Sequence, residues 1–330
     1  MNKGKYNPLF VVLGIFFILF IVGQFAQGMW QPVALIMFYV AVGEAFNIFL
    51  GFTGYVNFGY VVFMGLGAYG MALVFSSATL AGLGPWILLP GFVFAALMAG
   101  ILAAGVGAIA LRLRGAYFAI ATIGVNQGVK YFIEGAKVWG GSEGIIISKP
   151  LKEVLGPHMA SAVTTFWADF MVFGIAVLAA VITIVFLHTR IGYGLIALRE
   201  DEDAASVMGV DTKKYKNIAF LVSSILAALI GATAWCLKTT YVFPDDVFAL
   251  SYTVDAIVIV MLGGSGTLLG PVVGGLIYGI LKYWLGIVLP GFQLLVLAPL
   301  IIIIIIVFPE GIVGVVKKQV RGGLLEKYIV

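Results

Sequence analysis

The chain has 330 residues, of which 62% are hydrophobic and only 10% are charged, and its formal net charge is +4. Soluble domains carry about a quarter charged residues, so this composition excludes a soluble globular protein. The apolar residues come in blocks that match the roughly 17–25 residues a helix needs to cross a bilayer. We therefore predict an all-α, polytopic membrane protein forming a single domain over residues 1–330. The small positive charge gives no reason to expect a nucleic-acid partner.

Ten hydrophobic stretches follow one another along the chain, separated by glycine, proline or charged residues. Their approximate ranges are 9–27, 31–50, 60–76, 86–111, 115–134, 166–187, 218–237, 253–269, 271–289 and 292–308. The first stretch could also be a cleavable signal peptide, but the residues after its apolar core make a poor cleavage site and further spans follow. We therefore expect about ten transmembrane helices, the first of them uncleaved.

The positive charges predict which ends of these helices face the cytoplasm. With the N-terminus inside, ten spans place residues 3–5, 112–114, 190–216 and 317–327 on the same side. These segments hold 13 of the 19 lysines and arginines, and such residues concentrate in cytoplasmic loops. We therefore predict cytoplasmic termini, a cytoplasmic segment 190–216 and an external loop at 135–165.

Residues 190–216, RIGYGLIALREDEDAASVMGVDTKKYK, form the one long charged stretch between two spans. A charge costs roughly 2.5–3.5 kcal/mol at the bilayer centre, so we expect this segment to lie in water. Asp201 is suited to cap a two-turn helix that ends at Gly209, and Asp211 or Thr212 to cap a second helix. A short helix with small residues at its tip fits a pocket on another protein, although an ordinary solvated loop also explains the pattern.

Polar residues inside the predicted spans are candidates for a substrate pathway. Glu44 is the only acidic residue near the middle of a span, where an unpaired charge needs a partner or a water-filled path. The other candidates are Asn47, Asn57, Thr122, Asn126, Gln127 and Asp255. Each could instead form an ordinary hydrogen bond between helices, whereas together, along a common seam, they could line a hydrophilic route.

Two glycine clusters interrupt the predicted helices, GFTGYVNFG at 51–59 and GGSGTLLGP at 263–271. Paired broken helices point to a transporter built from two repeats, so a repeat of two halves is possible here. The second cluster resembles a phosphate-binding loop only superficially, because it lacks the lysine and follows no strand. We assign its glycines to close helix packing. These packing residues are Gly263, Gly264, Gly266, Gly270 and Gly274.

Sequence motifs for catalysis or metal binding are absent. The chain contains no HExxH, GxSxG, CxxC or G-x-x-x-x-G-K-[ST], and Cys236, His158 and His188 form no ligand pattern. We therefore expect a protein that is not an enzyme and that carries no metal and no cofactor. If ATP drives its action, another chain binds the nucleotide.

Several blocks resemble the permeases of branched-chain amino acid ABC transporters, more narrowly their M-type subunit. In chain order they are GFTGYVNFGYVVFMGLGAYG, LRLRGAYFAIATIG, GGSEG, GGSGTLLGPVVG and FPEGIVG. In addition, ALREDEDAASVMGV resembles the coupling helix that docks into the ATPase subunit of such transporters. It departs from that motif in having Asp203 for Glu and no Leu-Pro after Ile218.

The resemblance implies a permease in a prokaryotic cell (inner) membrane, surrounded by lipid and paired with a second, homologous permease subunit. Two ATP-binding subunits would hydrolyse ATP below it, and an extracellular or periplasmic amino acid-binding protein would deliver the substrate. The implied ATPase-coupling residues are Arg199, Glu200, Asp203, Ala204, Ala205 and Gly209.

Two alternatives remain open from the sequence. Related permeases move urea, short amides or other amino acids, and their glycine blocks and coupling segments look much alike. A stand-alone channel or ion-coupled carrier would use Glu44 and Asp255 to bind the driving ion. Such a carrier has no need of the charged segment 190–216.

Overall fold

In the computed structural model, the described residues are 7–26, 28–77, 79–292, 295, 298–299, 302, 306 and 310–319. The chain is all-α and polytopic, as the composition predicts. The tenth predicted span, 292–308, lies mostly outside the described residues. Outside them too lie Lys3, Lys5, Arg321 and Lys327 of the predicted cytoplasmic ends.

The helices follow the predicted order. They are α1 (Asn7–Phe25), α2 (Trp30–Thr53), α3 (Tyr60–Ser76), α4 (Leu88–Ala110), α5 (Ala116–Gly135), α6 (Ser148–Leu155), α7 (Pro157–Ala162), α8 (Ala168–His188), α9 (Arg190–Glu200), α10 (Glu202–Val207), α11 (Thr212–Gly231), α12 (Pro244–Val247), α13 (Leu250–Gly263), α14 (Leu269–Val288) and a terminal helix, Gly311–Gln319. Short 3-10 helices occupy Ala81–Ile87, Lys137–Trp139 and Gly141–Glu143, and π-helical turns occupy Val163–Trp167 and Ala232–Lys238.

Seven helical segments of the described chain are long and apolar enough to cross a membrane, and α3 is a shorter apolar helix. The helix α5 is not among them, since its polar residues include Lys130 and Glu134. The predicted external loop 135–165 contains α6, α7 and the strand β1 (Ile145–Ile146), which pairs antiparallel with β2 (Tyr241–Val242).

The chain divides into two compact units. Unit 1 comprises Met1–Gly54, Ala176–Val210 and Asp255–Val330, and unit 2 comprises Tyr55–Ile175 and Asp211–Val254. One boundary falls at the glycine break after α2 and another falls inside the charged segment 190–216. The single domain and the internal repeat of two halves stay predictions.

In unit 1, α2 is buried along almost its whole length and packs against α1, α9 and α14. Glycines on α14 allow the two backbones to approach closely, as is usual between membrane helices. A Cβ added at Gly275 would lie 2.7 Å from Cα of Val40. Tyr39 of α2 and Tyr278 of α14 meet edge to face in the same core.

In unit 2, α3 packs between α4 and α11. A Cβ added at Gly231 of α11 would lie 1.9 Å from the carbonyl oxygen of Met64 on α3, so no larger residue fits there without displacing backbone. Gly67 of α3 is equally close to the carbonyl oxygen of Ala228, at 2.0 Å. The contact between these two helices therefore depends on small residues on both sides.

The helix α9 is a structural feature that the sequence patterns did not predict. Its buried face carries Leu195 and Leu198 at a spacing of three, which is typical of an amphipathic helix. The hydroxyl of Thr189 accepts a hydrogen bond from the N–H of Gly192 and caps its first turn. The charged segment therefore contains the two predicted helices and, ahead of them, a third helix, α9, one face of which is buried.

We expect Gly231→Ala to destabilise the protein because the added methyl group collides with the backbone of α3. Overpacking of this kind typically costs about 1–3 kcal/mol. The matched control is Gly174→Ala in α8, where no atom lies within 4 Å of the added Cβ. Thermal unfolding in detergent should show a lower midpoint for the first variant only, and equal midpoints for the two would contradict the close packing of α3 and α11.

Candidate functional site

The helix α10 is fixed at both ends by local hydrogen bonds. The Asp201 carboxylate accepts hydrogen bonds from the N–H groups of Asp203 and Ala204, at 2.9 and 3.0 Å. Gly209 adopts a φ of +85°, a conformation that L residues rarely tolerate, and the helix ends before it. The predicted cap at Asp201 is thus confirmed, and Asp211 rather than Thr212 caps α11, accepting from the N–H of Lys214.

The tip of α10 exposes apolar side chains. Val207 is 86% exposed and Met208 is 83% exposed, while Ala205 is buried. Ala204 is exposed on the same helix. Neighbouring exposed apolar side chains on an ordered helix are typical of a surface that binds another protein.

Glu200 and Asp203 both lie at the surface beside α10, the Glu200 side chain being 72% exposed. Arg199 behaves differently, because its side chain is only 33% exposed and turns toward its own chain. Its Nη1 donates a hydrogen bond to the carbonyl oxygen of Gly51 at 2.8 Å. Carbonyls in the last turn of a helix lack intrahelical partners and attract cations, which explains this contact at the end of α2.

Asn47 connects the end of α2 to the second glycine cluster, and all of these residues belong to unit 1. Its side-chain Nδ2 donates to the carbonyl oxygen of Thr267 at 3.0 Å, and the N–H of Gly266 donates to its Oδ1 at 2.9 Å. Thus Asn47 pairs two backbone groups of the loop between α13 and α14. This loop, residues 264–268, is called here the GSGT loop.

The predicted packing glycines are divided between this loop and the helices that flank it. Gly263 ends α13, Gly264 and Gly266 lie in the GSGT loop, and Gly270 and Gly274 lie in α14. At Gly266, φ is +76° and an added Cβ would lie 2.5 Å from Nη1 of Arg199. At Gly274, an added Cβ would lie 2.0 Å from the carbonyl oxygen of Ile259 on α13. Both positions require glycine.

Glu44 is fully buried in unit 1. The hydroxyl of Thr183 on α8 donates to its Oε2 at 3.3 Å, and its Oε1 has no hydrogen-bond partner among the described residues. No lysine or arginine in the described part of the chain forms an ion pair with it. Burial of an unpaired charge is very costly, so we expect the neutral carboxyl here.

Asp255, the other acidic candidate, is neutralised by a residue that the sequence patterns missed. Lys282 of α14 donates to its Oδ2 at 2.9 Å, and the hydroxyl of Tyr278 donates to its Oδ1. The Lys282 ammonium also lies 5.7 Å from the ring centroid of Tyr39, within cation–π range. Opposite charges in successive spans, Asp255 and Lys282, were the signal that could have revealed this pair.

The remaining pathway candidates lie in unit 2 and mostly make hydrogen bonds within it. Asn57 accepts from the N–H of Gly59, and Thr122 donates to the carbonyl of Ala119, both within one turn. Asn126 reaches further, donating from Nδ2 to the carbonyl oxygen of Phe248 at 3.1 Å. The side chain of Gln127 is partly exposed. The role of the seven residues as a substrate pathway stays a prediction.

Lys216 differs from the expectation that the whole charged segment lies in water. Its side chain is buried in unit 2, where Nζ donates to the carbonyl oxygen of Leu111 at 3.3 Å and lies 4.7 Å from the ring centroid of Tyr55. The end of α4 supplies the unpaired carbonyl and the aromatic ring supplies a second attraction, which together offset desolvation. A second buried charge that the sequence patterns missed, Asp169 of α8, pairs with Lys238 in the same unit.

Among the described residues, no three His, Cys, Asp or Glu side chains lie together as a possible metal site.

Comparisons with known proteins place these features in a family. Residues 28–307 match the family model described as branched-chain amino acid transport system / permease component. The permease protein LivM of the high-affinity branched-chain amino acid transport system of Escherichia coli K12 is 27% identical over 322 residues, covering 90% of this chain and 72% of its own. LivH of the same organism is 25% identical, covering 88% of this chain and 96% of its own.

A more distant relative is the ribose import permease protein RbsC of Escherichia coli K12. It is 30% identical over 128 residues, which cover 36% of this chain and 39% of RbsC. No solved structure matches the chain.

We expect Glu44→Gln to leave stability nearly unchanged, because glutamine keeps the shape of a neutral carboxyl and can still accept from Thr183. Glu44→Ala should lower the free energy of unfolding by about 1–3 kcal/mol, since it leaves the buried hydroxyl unsatisfied and opens a cavity. Thermal unfolding in detergent measures both.

The matched control for this pair is Glu153→Gln in α6, whose side chain is 64% exposed. It should match the unsubstituted protein. A glutamine at position 44 as destabilising as alanine would contradict the neutral carboxyl.

Proposed function

The chain belongs to the family of branched-chain amino acid transport system permease components, and we propose that it is the membrane-spanning subunit of an ATP-binding-cassette importer for branched-chain amino acids. Membership in this family and the apolar helices make it a multi-pass transport protein. The proposal adds the energy source, the cargo and the partners. The match to LivM over 90% of this chain supports a role like that of the M-type subunit.

The observation that carries the proposal is α10. This helix of six residues is capped by Asp201, and it exposes the apolar Val207 together with the adjoining Met208, a surface that a partner protein would cover. This exposed apolar surface, with the acidic Glu200 and Asp203 next to it, would fit a groove on an ATP-binding subunit. ATP hydrolysis would then take place on two such partner chains, and this chain would need no nucleotide or other cofactor.

The buried charges of unit 1 support an apolar cargo. Asp255 is paired with Lys282, and no lysine or arginine of the described chain pairs with Glu44. Neither arrangement provides the free charges that would hold a strongly ionic ligand. A branched-chain amino acid handed over by a separate binding protein requires only weak contacts during passage. The alternative is that the same transporter carries urea and short amides, which are uncharged, or other amino acids.

The assembly we propose contains a second, homologous permease subunit beside this chain in the prokaryotic cell membrane. Two ATP-binding subunits would bind on the cytoplasmic side, where α10 and both termini would lie. An extracellular or periplasmic amino acid-binding protein would dock on the opposite side, near α6 and α7.

Transport by reconstituted vesicles tests this function. The vesicles would contain this chain with its cognate second permease, ATP-binding subunits and binding protein, and would be assayed with labelled leucine and labelled urea. We expect leucine uptake that requires ATP inside. ATP-dependent uptake of urea instead of leucine would contradict the proposed substrate but support the proposed energy source. Leucine uptake that does not depend on ATP would contradict the energy source and favour an ion-coupled carrier.

We expect Ala204→Arg to abolish ATP-dependent uptake, because a bulky charge on the exposed face of α10 blocks docking of the ATP-binding subunit. Membrane insertion and thermal stability should persist, since the side chain points to solvent. Co-purification of the ATP-binding subunits and uptake are the two measurements.

The control for Ala204→Arg is Ser161→Arg, which places the same side chain on the exposed helix α7 of the predicted external loop. This control should retain the ATP-binding subunits. If Ala204→Arg also retains them and transports normally, α10 is not the docking element.

A further inference from the structure

Arg199 occupies a position that a residue touching only the ATP-binding subunit would not need. It lies in the last turn of α9, two residues before Asp201, the cap that starts α10. Its Nη1 nevertheless bonds into unit 1, while its Nη2 lies 3.4 Å from the exposed carboxylate of Glu200. The side chain therefore joins the surface helix α10 to the interior of the permease.

Two glycine segments enclose this guanidinium. Nη1 donates to the carbonyl oxygen of Gly51 in the last turn of α2. On the other side, a Cβ at Gly266 would lie 2.5 Å from the same nitrogen, and a Cβ at Gly54 would lie 3.1 Å from Cγ of Arg199. Both glycines have a positive φ, and the Cβ at Gly266 would also lie 2.7 Å from the carbonyl oxygen of Gly51, so a larger residue is strained at either position.

The two glycine segments are also bonded to each other. The Asn47 amide accepts from the N–H of Gly266 and donates to the carbonyl oxygen of Thr267. An added Cβ at Gly51 would lie 2.5 Å from the nitrogen of Gly266, so the backbones are in direct contact. The end of α2 and the GSGT loop therefore form one bonded unit, and Arg199 is its connection to α9 and α10.

We propose that Arg199 is the positioning residue that transmits movement of α10 to the broken end of α2 and to the GSGT loop. This inference rests on the proposed function, because it takes the ATP-driven step as the origin of the movement. A rigid link is plausible in physical terms: α9 is one continuous helix, and the Asp201 cap fixes α10 one residue after it. The planar guanidinium holds its hydrogen bond in a defined direction, which a lysine ammonium does not.

Loss of the Arg199 guanidinium should uncouple ATP hydrolysis from transport. Without the guanidinium, α10 still presents Ala204, Val207 and Met208 to the ATP-binding subunits, so the complex assembles. The glycine segments then no longer follow α10, and ATP is hydrolysed without transport. A residue that touched the ATP-binding subunit directly would instead be needed for assembly.

The test compares Arg199→Met with Arg190→Met in the full reconstituted complex. Arg190 begins the same helix and is exposed, so it controls for loss of a positive charge from α9. For Arg199→Met we expect normal insertion, normal co-purification of the ATP-binding subunits, and a fall of about tenfold or more in leucine transported per ATP hydrolysed. Arg190→Met should keep the normal ratio.

An unchanged transport ratio in Arg199→Met overturns the proposal, and so does loss of the ATP-binding subunits, which would make Arg199 a direct docking residue. If Arg199→Met fails to insert, Arg199→Lys replaces it, because lysine can keep one bond to Gly51. An intermediate ratio in that variant supports the proposal and a normal ratio overturns it.

Hydrogen–deuterium exchange separates this inference from the proposed function. In the purified chain without nucleotide, Arg199→Met should accelerate amide exchange in residues 51–54 and 264–268 but not in α14 beyond Gly274. Unchanged exchange in both segments overturns the inference even if ATP-dependent transport is found. Absence of ATP-dependent uptake in the unsubstituted complex, with accelerated exchange in the variant, would overturn the proposed function and, with it, ATP as the origin of the movement, while the link from Arg199 to the two segments would stand.

Discussion

Backbone groups at the ends of broken helices set the main constraint on this structure. Within a membrane, an unpaired carbonyl or N–H has no water to bind, so the protein must supply a partner. The glycine break after α2 leaves the carbonyl of Gly51 unpaired within its helix, and Arg199 supplies the donor. The end of α4 poses the same problem at Leu111, where Lys216 donates. The two cations of the charged segment that turn inward are thus explained by one requirement.

Meeting this requirement with an arginine has consequences for the residues around it. The arginine side chain lies beside Gly54 and Gly266, whose positive φ values disfavour any larger residue. Asn47, one of the few polar residues of α2, then pairs two backbone groups of the GSGT loop. Glycine, asparagine and arginine at these positions therefore act together to pair the backbone N–H and carbonyl groups at the helix breaks. Because this arrangement includes α9, it also connects the membrane interior to the surface helix α10, which is where a transporter would need a mechanical link.

The buried acidic residues of unit 1 also have partners inside the protein. Asp255 and Lys282 neutralise each other between α13 and α14, with Tyr278 completing the hydrogen bonds. Among the described residues, Glu44 has one hydrogen-bond donor, Thr183, and no ion-pair partner. Charges that are paired or held neutral stabilise a particular arrangement of helices. They exert little electrostatic attraction on an ionic substrate. This agrees with the family's association with branched-chain amino acids, whose side chains are uncharged.

The sequence by itself determined the class of the protein, most helix positions, the cap of α10 and two candidate caps for α11, because hydrophobic block length and capping chemistry are local properties of the chain. It also identified the family, through blocks spread along the chain. It could not show that α9 is a buried amphipathic helix, that Lys216 leaves the water, or that Lys282 neutralises Asp255. It named Arg199 and Asn47 without their partners, which lie 148 and 220 residues away. Such contacts depend on which helices meet in the folded chain, and only the tertiary structure decides that.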